Sequence, residues 1–187
     1  MLFGLEPEQI ETSLNDYLWG QAAIEDAAYD VSENVGITNE GKIFLVPASI
    51  KANDIARILK QGYDVRLLND GLRQLVKKLQ LDYLFIDTHP GLLKETFLSI
   101  AISHVLIVIL RPDKQDYQGT AVTIDFAKQL KVRRMLLTIN KVLSHTNQEA
   151  LKQKVEETYG ASVAGVFPLS EDIVRLASEG ARSSRMD

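Results

Sequence analysis

From residue 43 onward, short apolar runs alternate with longer stretches of helical periodicity, and this alternation constrains the fold more than any other feature. Residues 43–46, 82–87, 105–110, 134–139 and 162–167 read as strands. Residues 51–60, 65–79, 94–101, 117–130, 148–159 and 171–178 read as helices between and after them. Such an order predicts an α/β domain: a doubly wound, mostly parallel sheet with helices on both faces. Right-handed crossovers then bring the carboxyl ends of the later strands to one rim. Ahead of this pattern, Pro7 opens a helical stretch that carries Ile10, Leu14, Tyr17 and Leu18 on one face and stops at Gly20. Residues 24–29 read as a second short helical piece and 32–41 as a polar loop.

The most informative stretch is 81–91, LDYLFIDTHPG. Its apolar run ends abruptly in Asp87, which points a carboxylate at the ligand crevice of a parallel sheet. Hydrated Mg²⁺ carried by a nucleotide suits such a charge. Gly91 lets backbone approach a terminal phosphate. An apolar run ending in Asp, taken alone, favours a loop or helix cap; the whole IDTHPG string and the strand ends downstream reverse that preference. The other strand ends expected on the rim are Arg111-Pro112, Asn140-Lys141 and Phe167-Pro168.

Composition narrows the classes. The chain of 187 residues has room for one domain with a sizeable core. With no cysteine it has no disulfide and no thiolate metal site. A net charge of −4 does not advertise nucleic acid or an anionic membrane; DNA is a minority reading of the Lys131, Arg133 and Arg134 cluster. No apolar run reaches membrane-spanning length, and Glu6, Glu8 and Glu11 interrupt any signal peptide, so the expected location is the cytoplasm. His89, His104 and His145 lack metal-ligand spacing.

A nucleotide site also needs a phosphate cradle. The near match, residues 36–43 (GITNEGKI), is rejected. Ile43 replaces the Mg²⁺-binding hydroxyl, Glu40 repels phosphate, and no helix follows the loop. A hairpin or loop turn suits it better. Asn140-Lys141 is similar to the base-reading NKxD element of GTPases, but Val142-Leu143 follows and the carboxylate for guanine is missing. An Asn amide both donates and accepts, which suits adenine. Asn140 as a simple strand-ending turn residue competes closely. Phe167-Pro168 either lines the base pocket or simply stops its strand, and Arg111-Pro112-Asp113 reads as loop geometry.

LDYLFIDTHPG, VLIVILRP, LLTINKV and VAGVFPLSEDIVRLASEG in succession resemble the MinD/ParA family of P-loop ATPases. LFGLEPEQIETSLNDYLWG looks like the segment after the first switch of MinD-like members. The resemblance covers residues 2–180 and leaves 181–187 as a frayed tail. It implies an ATP- and Mg²⁺-dependent switch protein that dimerises, answers to an activating protein partner or cargo, and places a division site, partitions chromosomes or positions other cargo. Asp87 would hold Mg²⁺ through water, Gly91 would sit near the γ-phosphate, and Thr88 would belong to the cofactor site. Asn140 would read adenine, and Phe167 and Pro168 would flank it.

The departures are equally specific. Family members carry a first strand with a two-lysine P-loop and a switch I Asp, and neither is found here. The expectation is a domain truncated at its N-terminus, lacking the P-loop strand and inactive alone as an ATPase. The closing SEGARSSRMD has no apolar face, so MinD's membrane-binding helix does not carry over. The rival is a non-catalytic interaction module derived from the same family. A receiver-like phospho-acceptor, with Asp87 and Lys141 as its pair, is a weaker alternative, because the 43–46 strand ends in Pro47-Ala48 rather than an acidic pair.

Overall fold

The computed structural model describes residues 3–37, 41–49, 51–88 and 94–179. Its contacts divide the chain into two units, Met1–Leu84 with Asp172–Asp187, and Phe85–Glu171. The expected tail at 181–187 lies outside the described residues.

In the first unit, helix α1 (Leu14–Leu18) starts at Ser13, whose N–H and hydroxyl both donate to Asp16 Oδ2. Those bonds, led by the hydroxyl, hold the Asp16 carboxyl below its ordinary pKa. The helix expected from Pro7 onward is split, because a 3-10 turn at Pro7–Gln9 closes before α1 begins. Tyr17, Ile24 and Leu75 form the buried centre, with Leu67, Leu79 and Leu81 packed around it. Helices α2 (Ala52–Gln61) and α3 (Val65–Lys78) lie where the periodicity predicts them. Strand β1 (Tyr29–Asp30) pairs antiparallel with β2 (Phe44–Leu45). This corrects two expectations. Residue 29 is extended rather than helical, and the strand expected at 43–46 joins a two-stranded ribbon rather than the parallel sheet. Within the rejected 36–43 loop, residues 38–40 are outside the described set. Its flanks close the ribbon, with Val31 N–H donating to the Ile43 carbonyl at 2.9 Å.

The second unit is a parallel sheet in chain order, β3 (Leu106–Leu110), β4 (Met135–Val142) and β5 (Val163–Pro168). The crossovers are α5 (Lys114–Gln129) and α6 (Gln148–Tyr159). Leu110 and Val108 of β3, Leu137, Ile139 and Val142 of β4, and Val163 of β5 bury one face with Ile124 of α5 and Val155 and Tyr159 of α6. Two right-handed crossovers between successive neighbours place both helices on that same face. On the other face Ile107 and Ile109 are 49% and 65% exposed. Helix α4 (Lys94–Ile102) meets α5 through Phe97 and Phe126, whose rings stack at 3.9 Å. Helix α7 (Glu171–Glu179) follows β5 in the chain and belongs, from Asp172, to the first unit.

The strand expected at 82–87 does not form. The segment is irregular, and Tyr83 and Phe85 are 80% and 83% exposed. Aromatic and branched residues give strand propensity, but a strand exists only where a neighbour completes its ladder. No described strand pairs with this segment.

Candidate functional site

The carboxyl ends of β3, β4 and β5 meet at one rim, because the three strands are parallel: Leu110 faces Ile139, and, after a first register shift between Leu137 and Thr138, Ile139 faces Val166. Beyond Ile139 the register shifts, and Val142 faces Pro168. Asn140 and Lys141 therefore stand together opposite the single residue Phe167, which is a β-bulge. Lys141 takes a left-handed backbone, φ 56°. Its N–H donates to Asn140 Oδ1 at 2.8 Å. Past the bulge the chains re-pair, with Leu169 N–H donating to the Val142 carbonyl at 2.8 Å.

Asn140 is half-buried and Pro168 exposed, while Phe167 is 54% exposed. Because Ala164 is an extra residue between the Leu137–Val163 and Thr138–Gly165 pairs, Gly165 and Phe167 switch away from the face of Val163 and share with Thr138 and Asn140 the face that α5 and α6 leave open. Gly165 keeps that face shallow. A Cβ at this position would stand 2.9 Å from Phe167 Cε2, so the ring folds back over the glycine. Nothing in the sequence reading singled out Gly165 or the Lys141 backbone. A glycine two residues before an aromatic in a strand was the available signal for the former.

At the end of β3, Arg111 is clamped rather than free. Its Nε lies 3.0 Å from Asp116 Oδ2 and 3.3 Å from Asp113 Oδ2, and its backbone N–H donates to Asp116 at 2.9 Å. The Arg111 hydrogen bond holds the Asp116 carboxyl below its ordinary pKa and raises that of Arg111. Asp113 in turn accepts the Asp116 N–H at 3.0 Å and caps α5. The Arg111-Pro112-Asp113 segment is thus loop geometry, as its sequence suggests.

Asp87 and Thr88 are exposed and sit on the irregular segment, so no strand carries Asp87 to the rim. Gly91 lies outside the described residues, as do His89 and Pro90. The structure thus brings together Asn140, Phe167 and Pro168 from the expected set. Asp87 offers the oxygen donor that a hydrated Mg²⁺ takes, whereas among the described residues no group of three or more His, Cys, Asp or Glu is placed to hold a metal directly. Two cavities open at the opposite end of the sheet. One, of about 210 Å³, is lined by residues including His104, Lys131 and Arg133; the other adjoins Met135 and Gly160. Among the described residues no helix is long and apolar enough to cross a membrane.

No protein-family model matches the chain. An uncharacterized ATP-binding protein of Methanocaldococcus jannaschii is 25% identical over 180 residues, which cover 96% of this chain and 61% of that protein. The chain thus spans about three fifths of the length of this relative. Among solved structures, the MinD cell division protein of Aquifex aeolicus superposes with a TM-score of 0.76 at 16% identity, over 96% of this chain and 69% of that one. A structure of the Aquifex MinC:MinD cell division protein complex matches with the same TM-score. A ParA family ATPase from Chlorobium tepidum matches at 0.71 and 13% identity, over 100% of this chain and 75% of its own length. The fold expected from the strand–helix alternation is therefore the observed one, and the chain resembles the MinD and ParA ATPases in architecture.

Proposed function

We propose that this chain is a MinD/ParA-like nucleotide-binding domain whose rim takes the adenine of ATP. The observation that carries the reading is the β4 bulge, which sets Asn140 beside Phe167-Pro168 at the carboxyl end of a parallel sheet, where α/β ligands bind. Asn140 supplies a donor and an acceptor to the base edge. Phe167, exposed over Gly165, supplies a flat apolar face, and Pro168 borders it. Asp87 would hold Mg²⁺ through water, and Thr88 and Gly91 would belong to the nucleotide site. Mg²⁺, when bound, neutralises phosphate charge.

The 187 residues contain no GxxxxGK[ST] sequence. These residues therefore hold base and metal but lack the lysine-bearing cradle that stabilises phosphoryl transfer, and the chain alone binds ATP without hydrolysing it. In its complete assembly the domain dimerises and acts through a protein partner, in cytoplasmic division-site placement, chromosome partition or cargo positioning. The ATP-binding relative and the MinC:MinD neighbour support this reading.

Equilibrium dialysis with Mg-ATP and Mg-GTP tests it. ATP should bind in preference to GTP, and Asn140→Ala should abolish the preference. Absence of ATP binding at millimolar concentration, or equal retention of both nucleotides by the parent chain, would sink the proposal. The second outcome to watch is a soluble, monodisperse chain indifferent to ATP. That result would favour a non-catalytic interaction module, a reading to which the exposed Ile107 and Ile109 on the open face lend weight.

A further inference from the structure

Among the described residues three non-glycine positions have a left-handed backbone: Gln80, Lys131 and Lys141. Two have an ordinary cause. Gln80 lies just past the end of α3 and Lys131 just past the end of α5, where a left-handed residue closes the last turn of a helix. Lys141 lies inside a strand, where extended backbone is the norm and where a side chain with a Cβ disfavours positive φ. The bulge around it turns its N–H out of the ladder and onto Asn140 Oδ1.

We propose that Lys141 is a positioning residue for base selectivity: its left-handed N–H fixes which end of the Asn140 amide faces outward. The inference rests on the adenine reading above and deepens it. An amide has one accepting end and one donating end. A backbone N–H selects the oxygen, so Nδ2 is held on the other side and the group does not flip. The orientation matters because the two purines present opposite polarity along the edge that pairs with another base. Adenine offers an exocyclic donor and then a ring acceptor; guanine offers an exocyclic acceptor and then a ring donor. A freely flipping amide pairs with either. A locked one, with the base plane set by the Phe167 ring, pairs with one. The lock thus converts an indifferent side chain into a selective one, without the carboxylate that Val142-Leu143 fails to supply.

The test uses the isotope-labelled full chain, with adenosine and guanosine as probes, read by NMR at the Asn140 side-chain amide. In the parent chain Lys141 should give the strong intraresidue HN–Hα cross-peak of a positive φ. Adenosine should shift the Asn140 amide at roughly tenfold lower concentration than guanosine. Lys141→Gly, which tolerates positive φ, should keep the preference. Lys141→Val, whose branched Cβ resists it, should bring the two nucleosides within about twofold of each other. A structural effect alone would weaken both probes together and leave their ratio intact. Retention of the ratio by Lys141→Val in a dispersed, folded spectrum would overturn the proposal. So would loss of the ratio in Lys141→Gly, or absence of the positive-φ signature in the parent chain. If that signature is present but neither nucleoside moves Asn140, the adenine site itself is refuted, and base selectivity falls with it.

Discussion

Gly71 of α3 lies flat against the ring of Tyr17: a Cβ at position 71 would stand 2.6 Å from Tyr17 Cε1. The phenol is pinned from its far end as well, because its hydroxyl donates to the Leu67 carbonyl at 2.8 Å. Burial raises the Tyr17 pKa, so the bond is made by the neutral phenol across the working range. Gly71→Ala gains helix propensity of about 1 kcal/mol but overpacks this contact by about 1–3 kcal/mol. The expected net loss is about 0–2 kcal/mol, read as a lower urea midpoint with an unchanged slope.

Gly160 makes the opposite case. It ends α6 with φ 62°, and nothing lies within 4 Å of where its Cβ would be. Gly160→Ala therefore costs only backbone strain, about 1 kcal/mol. Gly160→Asn should recover part of that loss, because Asn tolerates the left-handed region. Chemical denaturation of the two variants side by side checks the ordering.

The Arg111–Asp116 pair gives a pH dependence of known sign. The folded-state pKa of Asp116 is lowered, first by the Arg111 hydrogen bond. Its contribution is therefore fully present above the unfolded-state value of about 4 and is lost as pH falls through the lower folded-state value. Both side chains are partly exposed, so solvent screening keeps the contribution of the pair small. Asp116→Asn should flatten this part of the acid limb while leaving the neutral-pH melting temperature only slightly reduced. Melting curves from neutral pH downward show whether it does.

Asp87 is exposed on an irregular segment, so Asp87→Ala should leave stability within about 0.5 kcal/mol of the parent. Under the proposed function it should instead erase the difference between ATP binding with and without Mg²⁺. A large drop in melting temperature would show that the carboxylate is structural.

Much of the second unit could be read from local signals. Asn147 caps α6 and Gly160 ends it, so its limits match the sequence reading. The ends of β3 and β5 were marked by the prolines and polar residues that follow their apolar runs. Helix α5 begins earlier than the expected residue 117 because Asp113 caps it, and periodicity counted from Tyr117 does not register a cap. What local signals miss is pairing. Phe44–Leu45 and the 82–87 run have similar apolar character, yet one finds an antiparallel neighbour and the other finds none among the described residues. Periodicity reports which face of a strand is apolar and not which strand lies beside it. The Lys141 backbone was illegible for a different reason: nothing about a lysine announces a positive φ, which only the two-against-one pairing with Phe167 imposes.

The order β3-β4-β5 has a consequence for how this sheet is made. Leu106 meets Met135, and Leu137 meets Val163, each across a single helical crossover. Among the described strands, neither pairing in this order needs a distant segment to slip in between. Parallel pairing is usually slow because long loops must close before any ladder forms. Here each newly finished strand has its neighbour already in place on the N-terminal side, so the sheet can grow in the direction of translation.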